Sequence, residues 1–414
     1  MARGGLRARS RAALVSGATL AAFRVPGYPA LWLAGTLSAS ASTASLVAIG
    51  WTALQVSDSA LSVGAMLAAR FLPSLILGIP LGGLVDRHDR RRTLVVVGLV
   101  TVVPLVAGAA LAGANQLGLA VLLGLSLVLG ILSTVWGTAA QSYAFDLAGA
   151  EGATNAIALG HLGAFLLGTV GSVAGGLALE HYGVGSALML AAALSAAASI
   201  GLAVSRGHAG RPRTEPPTIP SFARSVTLIT RNRVVAVIAL VVIVAEVFGF
   251  SSMTVFPTFA RDVLHSDATG LGALSAARNL GAVAGLVLLA RLGFRGRGGR
   301  LLLLVTLGFG LGLIGFAVST SFALSFVLLL AVGASAAGLD TLAQSLIQQS
   351  VDDAERGSAM GIWFFAIGFG PLGYLGIGAA ANAIGAPTAL AISGALLVLL
   401  AVALSGVRTI RRIA

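Results

Sequence analysis

GGLVDRHDRRRTL, residues Gly82 to Leu94, closes one long apolar run and opens the next. Two glycines end the first run, and Asp86 to Arg92 then crowd two acids, one His and four Arg into seven positions before Leu94 resumes the apolar character. A charge at the centre of a bilayer costs about 2.5 to 3.5 kcal/mol on insertion scales, so this cluster belongs at a membrane surface between two spans. Reading outward, breaks in hydropathy place spans at 29–54, 59–84, 94–113, 117–140, 155–179 and 184–205. Six more follow at 233–259, 269–291, 300–319, 322–347, 358–381 and 386–407. Each holds the roughly 20 apolar residues that a crossing needs. Composition agrees: 57% of the 414 residues are hydrophobic and 10% charged, against roughly 25% charged in a soluble domain. The expected fold class is an all-α membrane protein with twelve transmembrane helices.

All 26 basic residues are Arg, and the net charge is +12. When the spans alternate, 23 of these Arg fall on one face, Arg261 falls opposite, and Arg70 and Arg278 lie inside spans. The positive-inside rule then predicts both termini in the cytoplasm of a cell inner (plasma) membrane and an even number of spans. Orientation accounts for the basic charge, so no nucleic-acid partner is expected. The Arg-rich start runs into Pro26 and Pro29 without a small-residue cleavage site, which argues against a removed signal peptide. The chain has no Cys, which excludes disulfides and thiol chemistry. Its five His and fourteen acids are scattered, so neither a metal nor a cofactor is expected. With no Lys there is no phosphate-binding GxxxxGK(S/T) loop, and no HExxH occurs either, so an enzyme is not expected.

The stretch RGHAGRPRTEPPTIPSFARS (206–225) is too polar and Pro-rich to cross. The expected organisation is a cytoplasmic segment 1–28, six helices over 29–205, a linker 206–232, six helices over 233–407 and a tail 408–414. The halves repeat weakly, as in transporters built by duplication. At an offset of 208, Gly64, Ala65, Ala68, Ala69, Arg70, Arg87 and Arg92 fall on Gly272, Ala273, Ala276, Ala277, Arg278, Arg295 and Arg300. At 202, Gly168, Gly171, Gly176 and Gly183 fall on Gly370, Gly373, Gly378 and Gly385, and at 203 Ala140, Gln141 and Ser142 fall on Ala343, Gln344 and Ser345.

The Gly82 to Leu94 stretch resembles the signature between the second and third helices of the major facilitator superfamily, GxxxD(R/K)xG(R/K)(R/K), matched at Gly82, Asp86, Arg87, Arg90 and Arg91, with Asp89 where the pattern has Gly. The DRxDRRR form is similar to the branch of enterobactin-exporter-like and macrolide-efflux-like transporters. So are AAQSYAFDL followed by Asn155 and Ala156, and QSLIQQSVDDAERGSAMG. In the fifth span, Gly171, Gly175 and Gly176 resemble the end of the exporters' GPxxGG motif, with Ser172 replacing the Pro; small-residue helix packing gives the same pattern. The resemblance implies two pseudo-symmetric six-helix bundles, and a monomer exporting a small molecule as they rock. It also implies conformational gating by Gly82, Asp86, Arg87, Arg90 and Arg91. Read without it, Asp86 either caps an adjoining helix or meets Arg residues and helix ends of the other half as a latch, or else is an incidental acid in a positive loop. Helix four lacks the Arg of the drug-antiporter motif, and the first span has no acid.

Ionisable groups inside spans are expensive and need a reason. Glu246 and Asp340 fall on the seventh and tenth spans, which the resemblance places beside the central cavity. Either they carry protons as the coupling ion, or they form static ion pairs, Glu246 with Arg278. Arg70 and Arg278 either attract an anionic substrate or brace helices. Ser38, Ser42 and Ser45 share one face of the first span, with Ser40 and Thr43 nearby. Together with Trp51, Gln55, Trp136, Gln141, Phe248, Phe256 and Trp363 they suit a cavity for an amphiphilic organic molecule, although core packing explains the aromatics equally well. Import or uniport of a small solute, or a membrane sensor without transport, are the competing readings.

Overall fold

A computed structural model of the chain describes residues 20–205, 228–292, 297–352 and 355–407; the side chains of 78–84, 86, 150–151, 292 and 356–357 lie outside the described set. Eleven helices among the described residues are long and apolar enough to cross a membrane. The first four are α1 (Tyr28–Ser57), α2 (Ala60–Asp86), α3 (Arg90–Gly113) and α4 (Leu119–Gly149). The next, Gly152–Val204, has 53 residues, about 80 Å of helix against a hydrocarbon core of about 30 Å. Gly183 divides it: its φ of 82° and ψ of 173° are open to glycine and turn the chain back, giving α5 (152–182) and α6 (184–204). After the linker come α7 (Arg233–Asp262), α8 (Ala268–Leu292), α9 (Gly298–Val318), α10 (Phe322–Gln349), α11 (Ser358–Ile384) and α12 (Ala386–Ser405). The described residues thus make twelve passes.

Two boundaries differ from the sequence expectation. α4 continues nine residues beyond 140, through the polar stretch QSYAFDLAG, and the turn into α5 is the single residue Gly149, with φ 69° and ψ 174°. Polar residues there extend a helix past the apolar zone, and hydropathy alone stops counting them. α3 begins at Arg90, four residues early, because the Asp89 side chain accepts the Arg92 backbone N–H at 2.9 Å and caps the helix. The acid that departs from the signature pattern is therefore an N-cap.

The repeat reappears in the packing. Gly130 of α4 lies against the backbone of Arg70, and Gly333 of α10 against that of Arg278. A Cβ at either would collide with the Arg carbonyl. The two glycines are 203 residues apart, the offset already seen for Ala140 and Ala343. Each buried Arg is thus backed by a helix that approaches closely because it carries no side chain there.

Candidate functional site

Between the first six helices and the last six lies a cavity. Its wall is largely apolar, with Leu46, Val47, Val63, Met66, Leu67, Met253, Phe256 and Leu271, and carries five polar side chains, Thr43, Ser172, Ser275, Arg278 and Asn279. Phe256 and Thr43, both candidates in the sequence, stand on this wall. Ser38, Ser42, Ser45 and Trp136 line a separate cavity enclosed by α1, α2, α3, α4 and α6. Gln141 is exposed and Phe248 half-buried. Trp363 stacks edge-on to Phe364 at 5.0 Å, its indole N–H buried without a hydrogen-bond partner. The serine stripe thus identified a helix that touches the inter-bundle cavity but marked another of its faces, since one residue turns a helix by about 100°. Ser172, Ser275 and Asn279 carried no signal beyond Ser172's place in the glycine-rich run of α5 and Asn279's next to Arg278.

The charged groups gather in the second half. Glu246, 8% exposed, sits on a π-helical turn, Ala245–Gly249, that interrupts α7 and is followed by a 3-10 segment, Phe250–Val255. Such bulges re-aim side chains and cluster at functional sites. Gly370 and Gly373 let α11 come against this turn: a Cβ on Gly370 would stand 3.2 Å from Glu246 Oε2, and one on Gly373 would stand 2.6 Å from the Val247 carbonyl. Glu246 lies in the field of both Asp340 and Arg278. Among the described residues no ion pair within 4 Å joins it to Arg278, whose guanidinium lies 5.9 Å from the Phe250 ring centre and whose Nε is buried without a partner. Asp340 is half-buried on α10. Glu246 thus feels both charges without a direct ion pair to Arg278, and Arg278 also lines the inter-bundle cavity.

The Arg loop is built into its own half. Arg90, 2% exposed, pairs with Asp146 near the end of α4. Arg91 Nη2 donates to the carbonyls of Leu202 (3.0 Å), Ala203 (3.1 Å) and Ser205 at the end of α6, a cation placed where the helix dipole is negative. Arg87 is exposed; Gly82 and the Asp86 side chain lie outside the described residues. Asp146→Asn is expected to destabilise the chain by about 3 kcal/mol, because it removes a carboxylate that pairs with the buried Arg90. Thermal unfolding in detergent checks this, and an Arg90→Met and Asp146→Leu double variant should recover most of the loss.

A family model described as transmembrane secretion effector matches residues 17–412. The chain belongs to this family of the major facilitator superfamily. It is a multi-pass membrane protein and a secondary transporter. No curated protein matches it significantly. Solved structures with the same fold include a point mutant of the nucleoside transporter NupG (TM-score 0.73, 14% identity, 92% of this chain and 99% of that one). A bacterial homologue of the human lysosomal transporter Spinster, inward-facing and occupied, gives 0.68 at 16% identity over 91% and 94%. The E. coli fucose:proton symporter FucP gives 0.56 at 14% over 90% and 97%.

In this major facilitator polar contacts join the two halves at the end away from the termini, and the repeat is visible in them. Glu180, at the end of α5, accepts the Ala268 backbone N–H at the start of α8 at 3.1 Å. Asn382, 202 residues later at the end of α11, accepts the Ala60 N–H at the start of α2 at 2.8 Å and donates to Ser59 Oγ at 2.7 Å. Each half thus caps a helix of the other. Arg261, the Arg that sequence placed alone on this face, pairs with Asp58 at 2.6 Å across the same boundary. Underneath, a Cβ on Gly64 would collide with the Tyr374 carbonyl, and one on Gly272 would stand 2.5 Å from the Ser172 carbonyl, at equivalent points of the two seams.

Proposed function

We propose that this transporter exports small amphiphilic organic molecules by alternating access, with protons as the coupling ion. The observation that carries the reading is the inter-bundle cavity: an apolar wall with a few hydrogen-bonding groups and one guanidinium suits an apolar body bearing a few polar or anionic groups. The nucleoside and fucose transporters of the same fold handle strongly polar solutes, for which such a wall offers few partners. The family's description as a secretion effector supports the outward direction. The halves 29–205 and 233–407 act as the two rocking bodies. With both termini in the cytoplasm, as the Arg distribution implies, the end where polar contacts join the halves is the outer one, which fits an inward-facing arrangement. The Arg loop ties α3 to α4 and α6, so that end moves as one block, and Asp86 at its edge governs the switching.

The test is accumulation of chemically varied amphiphiles in cells with and without the transporter, repeated after the proton gradient is collapsed. Lower accumulation that depends on the chain and on the gradient supports the proposal. Concentrative uptake of a polar solute with no efflux would favour the importer reading.

A further inference from the structure

Arg70 lies inside α2 and turns away from the inter-bundle cavity, into the interior of the first six helices. It shares a pocket with Ser38, Ser42, Thr101, Ser133, Trp136 and Ser199 among others. The side chain is 7% exposed. Its Nη2 donates to Ser42 Oγ at 3.0 Å, while Nη1 is buried with no hydrogen-bond partner. Its neighbours on α1, α3, α4 and α6 supply one acid in all, Asp146, and that acid pairs with Arg90. Asp86 is sixteen residues further along α2, about 24 Å of helix. A buried cation with neither a counter-charge nor a full set of acceptors is costly enough that proteins pair it or bind something there.

The other half shows what is missing. Arg278 stands at the equivalent position, backed by the equivalent glycine, but has Glu246 in its field and the Phe250 ring beside it. The helix corresponding to α7 is α1, which has no acid anywhere along Tyr28–Ser57 and offers hydroxyls instead. Thr101, Ser133 and Ser199 already donate to carbonyls of their own helices. The protons of Ser38 and Ser42 remain available to an acceptor, beside the unpartnered Nη1.

We propose that this pocket binds a small monovalent anion of the halide class, held by Arg70 Nη1 and the hydroxyls of Ser38 and Ser42. One guanidinium balances one negative charge, and hydroxyl donors complete the shell of a spherical anion. The site is separate from the inter-bundle cavity and does not depend on what that cavity carries.

Equilibrium binding of radioactive chloride to the purified full-length chain, in detergent with gluconate as the background anion, tests it. Saturable binding of one chloride per chain is expected, displaced by bromide and nitrate, with a melting temperature that rises with chloride concentration. Arg70→Gln should abolish binding, and Ser42→Ala should weaken it about tenfold. Because Arg70→Gln removes a buried group and can fail to fold, Ser38→Asp provides the second arm. It places a carboxylate in the pocket, and should eliminate chloride binding and the chloride dependence of melting while the chain stays folded. Absence of saturable chloride binding to the unmodified chain overturns the proposal, as does undiminished binding to folded Ser38→Asp.

Discussion

Glu246→Gln is expected to abolish gradient-driven export while leaving downhill exchange of substrate measurable. The carboxyl is buried on the π-helical turn of α7, within the fields of Asp340 and Arg278 but outside ion-pairing distance of the Arg. A charge so placed responds to changes in what surrounds it, and rocking of the halves changes α7's neighbours by opening one seam and closing the other. Gln keeps the volume and hydrogen-bonding capacity but cannot exchange a proton. Proteoliposomes loaded with substrate provide the measurement, with and without an imposed proton gradient. Concentrative transport by Glu246→Gln would make Glu246 a structural charge and move the coupling role to Asp340, the other acid of the cluster. Asp340→Asn is the matching variant, and a cluster that works as a unit should lose coupling in either.

Gly64→Val is expected to drive the molecule out of the arrangement in which the halves are joined at the end away from the termini. Any Cβ at this position meets the backbone carbonyl of Tyr374 and the Thr254 methyl, so the neighbour that must move is largely main chain of the opposite half. Overpacking of this kind costs about 1 to 3 kcal/mol. A 3 kcal/mol penalty on one of two arrangements changes their ratio about 150-fold. The clash lies between the halves, so relief comes from parting them without unfolding either. Because the chain has no Cys, a single Ser275→Cys reporter in the inter-bundle cavity reads this directly. An impermeant maleimide should label it from the terminal side in the parent and from the opposite side in Gly64→Val. Gly272→Val, at the partner seam against the Ser172 carbonyl, should do the same. Labelling that stays on the terminal side in both would mean that these seams do not control access.

The twelve passes, the Arg loop between α2 and α3, and the pairing of Arg70 with Arg278 are all legible in the chain itself. They rest on one strong effect, the cost of placing charge in hydrocarbon, which leaves its mark at every span boundary and at every exception inside a span. The repeat offsets are legible too, and they foretell which glycines meet which backbones once the helices are placed. Orientation within the bundles is another matter. A span that is apolar on every side has no polar face to declare, because lipid and packed core accept the same residues. The Ser38, Ser42 and Ser45 stripe therefore pointed to α1 but could not say that it faces Arg70 inside the first bundle while Thr43, one position on, faces the cavity between the halves. Asp89 read as a departure from a signature and proves to be a helix cap, a role set by backbone geometry a few residues away. Glu180 and Asn382 drew no attention in sequence, since a polar residue at a span end is ordinary. Only the approach of the two halves makes each of them the cap of a helix more than 80 residues away, because such a bond depends on where distant chain ends meet and not on what lies beside them in the chain.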